Sequence, residues 1–265
     1  MEKLKIYCVT NKKLDFLKNS TYKIGWVSKD ASLPNYTLCD EGDNIFFKEK
    51  YYSELTFHYW YWKNLLEKES NDQWIGFCQR RRYWLQKKGP VSISKKNLNE
   101  NLLVDLDSNS QKINSIICEP IEISGAKKIK MIKRGWRNLI KNPGILFDKN
   151  KQNIKFHFDM HHGFGNLSKA INLLDSDDKK DFSNYVIQNT KYNPHIMFIA
   201  KKEIVKKWFS TLFPWLERCE SIFGFDDLKG YDTTRLYAYL AERYLSFWFK
   251  KYTTYKEQPW VFIDK

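Results

Sequence analysis

The chain has 265 residues, enough for one generous domain or two small ones with a real core. Hydrophobic residues make up 42% and aromatic residues 17%, which excludes disordered, collagen-like and disulfide-scaffold classes. Forty-five basic against 31 acidic residues leave a net charge of +14, which favours anionic partners without naming one.

The first predicted strand is Lys5–Thr10, ending at Asn11-Lys12-Lys13. Its apolar run is shorter than the roughly 7–15 residues of a signal peptide's core, and no run approaches the ~18 of a membrane span. A cytoplasmic protein is therefore expected. Cys8, Cys39, Cys78, Cys118 and Cys219 are scattered and form no C-x-x-C pair, so reduced thiols are expected rather than zinc ligands or disulfides. Ser53 is predicted to cap a helix with Glu54 in its first turn, because Leu55, Tyr59, Trp62 and Leu66 follow at helical spacing. Gln73–Cys78 and Ile113–Cys118 read as strands, the latter stopped by Pro120, and His195–Ala200 as a short buried strand. Ile204, Trp208, Leu212, Trp215 and Cys219 keep a helical period, with a kink or break expected at Pro214. Asp232 is expected to cap a last helix carrying Leu236, Leu240, Tyr244 and Trp248. Strands alternating with helices imply an α/β sheet with a helical C-terminal portion.

Residues 127–141 hold seven basic residues and no acidic one. Ile129, Ile132, Trp136 and Leu139 share one helical face, a pattern suited to an anionic membrane surface. A solvated surface helix with an ordinary core stripe is the alternative, and Gly135 weakens a helix here.

Three constellations can carry chemistry. Arg80-Arg81-Arg82 follow directly on the apolar strand, between Phe77 and Tyr83-Trp84. Ligands of open α/β sheets bind outside the carboxyl ends of strands, and guanidinium forks match phosphate geometry. Such a cluster can hold a diphosphate and stabilise a departing nucleotide; surface ion pairs are the bland alternative. Asp43 and Asn44 sit on a glycine loop ahead of Ser53 and Glu54, where carboxylates can bind sugar hydroxyls or act as a base. Capping alone would also account for Ser53 and Glu54. His157, Asp159, His161 and His162 form a polar cluster that lacks a metal-ligand pattern. Asp105-Leu106-Asp107 matches a D-x-D string, but its Asn/Ser-rich surroundings read as a turn.

The run Gly42-Asp43-Asn44, Tyr51-Tyr52-Ser53-Glu54-Leu55-Thr56 and Tyr59-Trp60-Tyr61-Trp62-Lys63-Asn64 resembles a family from bacterial capsule and O-antigen loci. That family was catalogued as a domain of unknown function and linked to galactofuranosyltransferase activity. Its G-L-x-H-Y-R-R-Y-F hallmark becomes Gly76-Phe77-Cys78-Gln79-Arg80-Arg81-Arg82-Tyr83-Trp84, with Gln79 in place of histidine. Ile116–Pro120, Asn193–Ile199 and Tyr239–Leu245 resemble its later segments in order, while 85–112 matches nothing.

The resemblance implies a GT-A-like, Rossmann-type sheet flanked by helices, in one glycosyltransferase domain over 1–265. Residues 1–125 would be its nucleotide-sugar part, and 126–265 its acceptor side and helical end. It implies transfer of a hexosyl unit, furanose forms included, from a UDP-sugar to a capsular or lipopolysaccharide glycan, lipid-linked acceptors included. On this pattern Arg80, Arg81, Arg82, Tyr83, Thr10 and Asn11 bind the donor. Asp43, Asn44, Glu54, His161 and Glu242 contact sugars. Asp159, Asp43 or Glu54 supplies the catalytic carboxylate. No cofactor is expected, arginines standing in for a metal, with Mn²⁺ or Mg²⁺ left open. Peripheral contact with the cytoplasmic membrane is expected, and nucleic acid is not. The rivals are a non-catalytic capsule-assembly scaffold and a basic nucleic-acid-binding protein, which pI 9.3 would suit.

Overall fold

A computed structural model describes residues 4–30, 34–89, 92–106 and 112–264. Apolar runs of four to seven residues become strands of a mainly parallel sheet. Strands β1 (Leu4–Thr10), β2 (Tyr22–Trp26), β3 (Tyr36–Leu38) and β4 (Trp74–Gln79) are all parallel, in the order β4-β1-β2-β3. Helices α1 (Glu49–Tyr52) and α2 (Leu55–Asn64) lie between β3 and β4 in the chain. Strand β4 is buried at every residue, as a central parallel strand should be. A tight turn leads from β4 into β5 (Arg82–Trp84), and α3 (Leu98–Asn101) follows. Beyond β4, the sheet continues through β9 (Phe198–Lys201) to β6 (Ser115–Cys118) and β10 (Tyr255–Gln258). Strand β9 runs antiparallel to both β4 and β6, whereas β10 is parallel to β6. Strand β11 (Trp260–Phe262) pairs antiparallel with β5.

Alternation along the strands sends side chains to two packed faces. Tyr7 and Phe77 meet Phe57, His58 and Tyr61 of α2, with ring centroids 4.2–5.4 Å apart. On the other face Ile6, Cys8, Trp74, Cys78, Trp84 and Ile199 form one apolar cluster. All five cysteines are free and buried.

Two compact units share the chain. The first comprises 1–119, 195–211 and 248–265, and the second 120–194 and 212–247. The expected division at 125/126 treats them as consecutive halves, but 195–211 and 248–265 return to the first unit because β9, β10 and β11 complete its sheet. The second unit contains α4 (Lys128–Lys141), α5 (Ile154–His162), α6 (Asn166–Ile171), α7 (Ser176–Gln188), α9 (Tyr231–Thr234) and a ribbon of β7 (Ile121–Glu122) with β8 (Lys191–Tyr192). Helices α8 (Lys202–Phe223) and α10 (Leu236–Tyr252) contribute residues to both units.

Several local expectations are corrected. Ser53 does not cap α2: it ends α1 at φ 52°, ψ −127°, and Glu54 occupies the N-cap without a side-chain bond. No break occurs at Pro214, where α8 is continuous. Complete burial of Trp208, Leu212, Trp215, Leu216 and Cys219 offsets the one lost backbone bond. Asp232 lies inside α9 and does not cap α10; its carboxylate pairs with Arg134 at 2.9 Å. The C-terminal portion is helical only as far as Tyr252, and two sheet strands close it. The basic segment does form a helix, α4, and Gly135 serves it. A Cβ there would meet the Phe156 ring at 2.7 Å, so glycine permits the close approach of α4 to α5.

Candidate functional site

In the first unit, four parallel strands end along one edge of the sheet. Thr10 and Asn11 leave β1, Val27 leaves β2, the 39–44 loop leaves β3, and Arg80-Arg81 leave β4. Backbone bonds knit this edge: Val27 N–H donates to the Thr10 carbonyl (3.0 Å) and Arg80 N–H to that of Val9 (3.2 Å). Thr10 Oγ1 donates to the Lys12 carbonyl at 2.6 Å, while Asn11 is exposed.

The arginine turn is held from below. Arg82 Nη1 donates to Gln79 Oε1 at 3.0 Å, so the last residue of β4 braces an arginine. Arg82 Nε is buried with no hydrogen-bond partner among the described residues. Arg81 packs over the Phe262 ring at 5.2 Å and lies 3.7 Å from Asp264. Tyr83 is fully buried and donates its hydroxyl to the Arg80 carbonyl. It thus positions the turn and is not open to a donor molecule, and burial pushes its phenol above the ordinary range.

The Gly42-Asp43-Asn44 loop is clamped by α2. Asn64 Nδ2 donates to the Asp43 and Trp60 carbonyls, both at 2.8 Å, and its Oδ1 accepts the Asp43 N–H at 3.3 Å. Trp60 Nε1 donates to the Glu41 carbonyl at 2.8 Å. Asn44 commits its amide to the carbonyls of Asp40 and Gly42 and its oxygen to Phe46 N–H, which makes it a turn-former. Asp43 keeps an exposed carboxylate, accepting from Tyr59 Oη at 3.1 Å with Lys63 4.0 Å away. Glu54 is half-buried, and its carboxylate has no partner among the described residues. It directly follows Ser53, whose positive φ is a strained backbone state of the kind found at functional positions.

Asp159, His161 and Glu242 belong to the second unit. Asp159 is buried and spends one oxygen on Lys155 (2.9 Å) and the other on the Gly165 N–H (3.0 Å), bracing the turn after α5. His161 Nδ1 accepts from Arg134 at 3.2 Å. Burial first, then Lys130 and Arg134, push its pKa down to about 4. His157 falls to about 2 through burial and Arg243, and His162 to about 3 for the same reasons. These rings are neutral polar groups at physiological pH. Glu242 accepts from buried Arg243, which stacks 3.9 Å from the Tyr192 ring and so fixes Glu242 in place. Arg134, Trp136, Arg137, Asp159, Phe164 and Asp232 line a cleft of about 400 Å³.

Among the described residues no three His, Cys, Asp or Glu side chains are placed to hold a metal ion. Asp105 sits in a bend, and Asp107 lies outside the described residues. No described helix is long and apolar enough to cross a membrane. The brace residues Asn64, Lys63 and Gln79 stood in the sequence motifs with no visible task. Phe262 and Asp264 carried no sequence signal, because only β11 brings them to the arginine turn.

No curated protein matches the sequence significantly. Among solved structures, one described as the WbbM bifunctional glycosyltransferase in its apo state matches at TM-score 0.70 and 19% identity, over 99% of this chain. The α/β architecture is therefore one found in that protein, of whose length this chain spans 46%. The family described as "Domain of unknown function (DUF4422)" matches residues 5–254, and the chain belongs to it.

Proposed function

We propose that the protein is a glycosyltransferase that moves a hexosyl unit, furanose forms included, from a UDP-sugar to a glycan of capsule or lipopolysaccharide type. The observation that carries this reading is the arginine turn at the carboxyl edge of a parallel sheet, with a buried Arg82 Nε that has no hydrogen-bond partner among the described residues. That edge is where α/β folds bind nucleotides, and the fold is shared with a structure described as a glycosyltransferase.

In this reading Arg80, Arg81 and Arg82 hold the donor diphosphate, and Thr10 and Asn11 lie beside the nucleotide. The acceptor hydroxyl attacks the anomeric carbon, the bond from that carbon to the diphosphate oxygen breaks, and UDP departs with the electron pair. The arginines stabilise the charge that develops on it. Glu54 takes the hydroxyl proton if the reaction inverts, since of the three candidate carboxylates it is the one without a partner among the described residues; exposed Asp43 is the second choice for that role. Asp159, Asn44, Tyr83 and Glu242 position other groups. His161 offers a neutral ring to a sugar hydroxyl.

Nucleotide release from a panel of UDP-, GDP- and CMP-sugars, with and without a capsule oligosaccharide and EDTA, tests the proposal. Acceptor-dependent UDP release is the expected result, and its survival in EDTA supports arginine in place of metal. Silence across the panel with an authentic acceptor would favour the scaffold reading.

A further inference from the structure

Helix α4 presents more apolar surface than the protein covers. Met131 and Gly135 are buried and Leu139 half-buried, packed toward Ile145, Phe156 and Met160. Beside that stripe, Ile129, Ile132, Trp136 and Ile140 remain 70, 53, 51 and 72% exposed. At about 100° per residue these four fall within roughly 80° of arc. The sequence pattern grouped Leu139 with Ile129, Ile132 and Trp136; packing divides that group, because Leu139 turns toward Met131 and the others do not. Phe147, 78% exposed, extends the patch, with Lys128 Nζ 4.9 Å from its ring centre.

Charge surrounds this surface. Of the seven basic residues in 127–141, only Arg134 has an acidic partner among the described residues, Asp232. Lys130, Lys133, Arg137 and Lys141 follow the apolar stripe around the helix, and Arg137 lies over the Trp136 ring at 5.3 Å. A protein partner would need a complementary acidic groove. A bilayer with anionic headgroups supplies both an apolar interior for isoleucines and negative charge for the flanking cations. An indole at the rim suits that interface as well.

We propose that α4 lies flat on an anionic lipid surface, with Ile129, Ile132, Trp136 and Ile140 inserted and Lys130, Lys133, Arg137 and Lys141 at headgroup level. The whole protein should co-sediment with mixed phosphatidylcholine–phosphatidylglycerol vesicles, bind phosphatidylcholine vesicles far less, and release in high salt. Each basic residue near such a surface is worth about fivefold in partitioning, so Lys130→Glu, Lys133→Glu and Arg137→Glu together should lower it about a hundredfold or more. Ile129→Ser, Ile132→Ser and Ile140→Ser together should cost roughly tenfold or more. These side chains are exposed, so thermal unfolding should stay unchanged and exclude misfolding as the cause. Equal binding to neutral vesicles, no binding to either, or full binding by both triple variants would each overturn the proposal. So would loss of a dimer in the isoleucine variant, or salt-sensitive binding to duplex DNA in the absence of vesicle binding. None of these readouts uses sugar transfer, so the proposal stands or falls apart from the enzymatic reading.

Discussion

Gly42→Ala tests whether Asn64 builds the Gly42-Asp43-Asn44 loop. Gly42 has φ +69°, where an L side chain costs about 1–2 kcal/mol. The added Cβ would also lie 2.2 Å from Asn64 Oδ1, so the amide must swing away. That movement breaks its bonds to the Asp43 and Trp60 backbone, a loss of about 1–2 kcal/mol at an exposed site. The single variant should therefore lose about 2–4 kcal/mol. Asn64→Ala loses only the hydrogen bonds, about 1–2 kcal/mol. Once Asn64 is gone the new methyl has nothing to strike, so the double variant should again lose about 2–4 kcal/mol, less than the sum of its parents. Urea unfolding of the wild type, both single variants and the double variant measures the coupling, expected at about 1–2 kcal/mol. Additive losses would mean that Asn64 does not clamp the loop, and the account of the motif would fail.

Arg81→Ala should weaken UDP affinity by calorimetry about 10–100-fold, the worth of one charge-assisted contact; unchanged affinity would remove the central donor contact. Glu54→Gln should cut turnover about 10²–10⁴-fold with donor affinity retained, and full activity would return the base role to Asp43. Gly135→Ala should lower the melting temperature, because crowding Phe156 costs about 1–3 kcal/mol against a helix-propensity gain of about 1 kcal/mol; a rise would refute the packing account. Burial holds His58 at about 3, and His161 at about 4, below their ordinary 6.5. The unfolded chain takes up protons that the native rings refuse, so stability is full above about pH 6.5 and falls as pH drops toward 4. A buried ring such as His58 contributes up to about 1.4 kcal/mol per pH unit in that window. Melting temperatures that stay level from pH 7 to pH 5 would contradict the neutral-histidine cluster.

The outline of the molecule was legible where the sequence carried long, one-sided patterns. Apolar runs marked β1, β4, β6 and β9, helical periods marked α2, α8 and α10, and the arginine run follows the end of β4 as expected. Strands β3, β5 and β11 are three residues long, too few to show a period, and polar residues or glycine interrupt β2 and β10, whereas β6 and β9 lie within longer apolar runs. Ser53 and Asp232 show the limit of local rules. Each has a cap-forming side chain, yet Ser53 ends a preceding turn and Asp232 answers Arg134, about one hundred residues away in sequence. The residues themselves thus determined the kind of surface available: guanidinium groups beside aromatics, carboxylates beside a glycine turn, and a basic helix with isoleucines. Tertiary packing decided which of them remain available. It spent Asn44, Asp159 and Glu242 on bracing neighbours, buried Tyr83, and left Glu54, the Arg82 Nε and the isoleucine stripe of α4 without partners among the described residues. Hydrogen-bond capacity is finite, and only the fold shows where it has already been used.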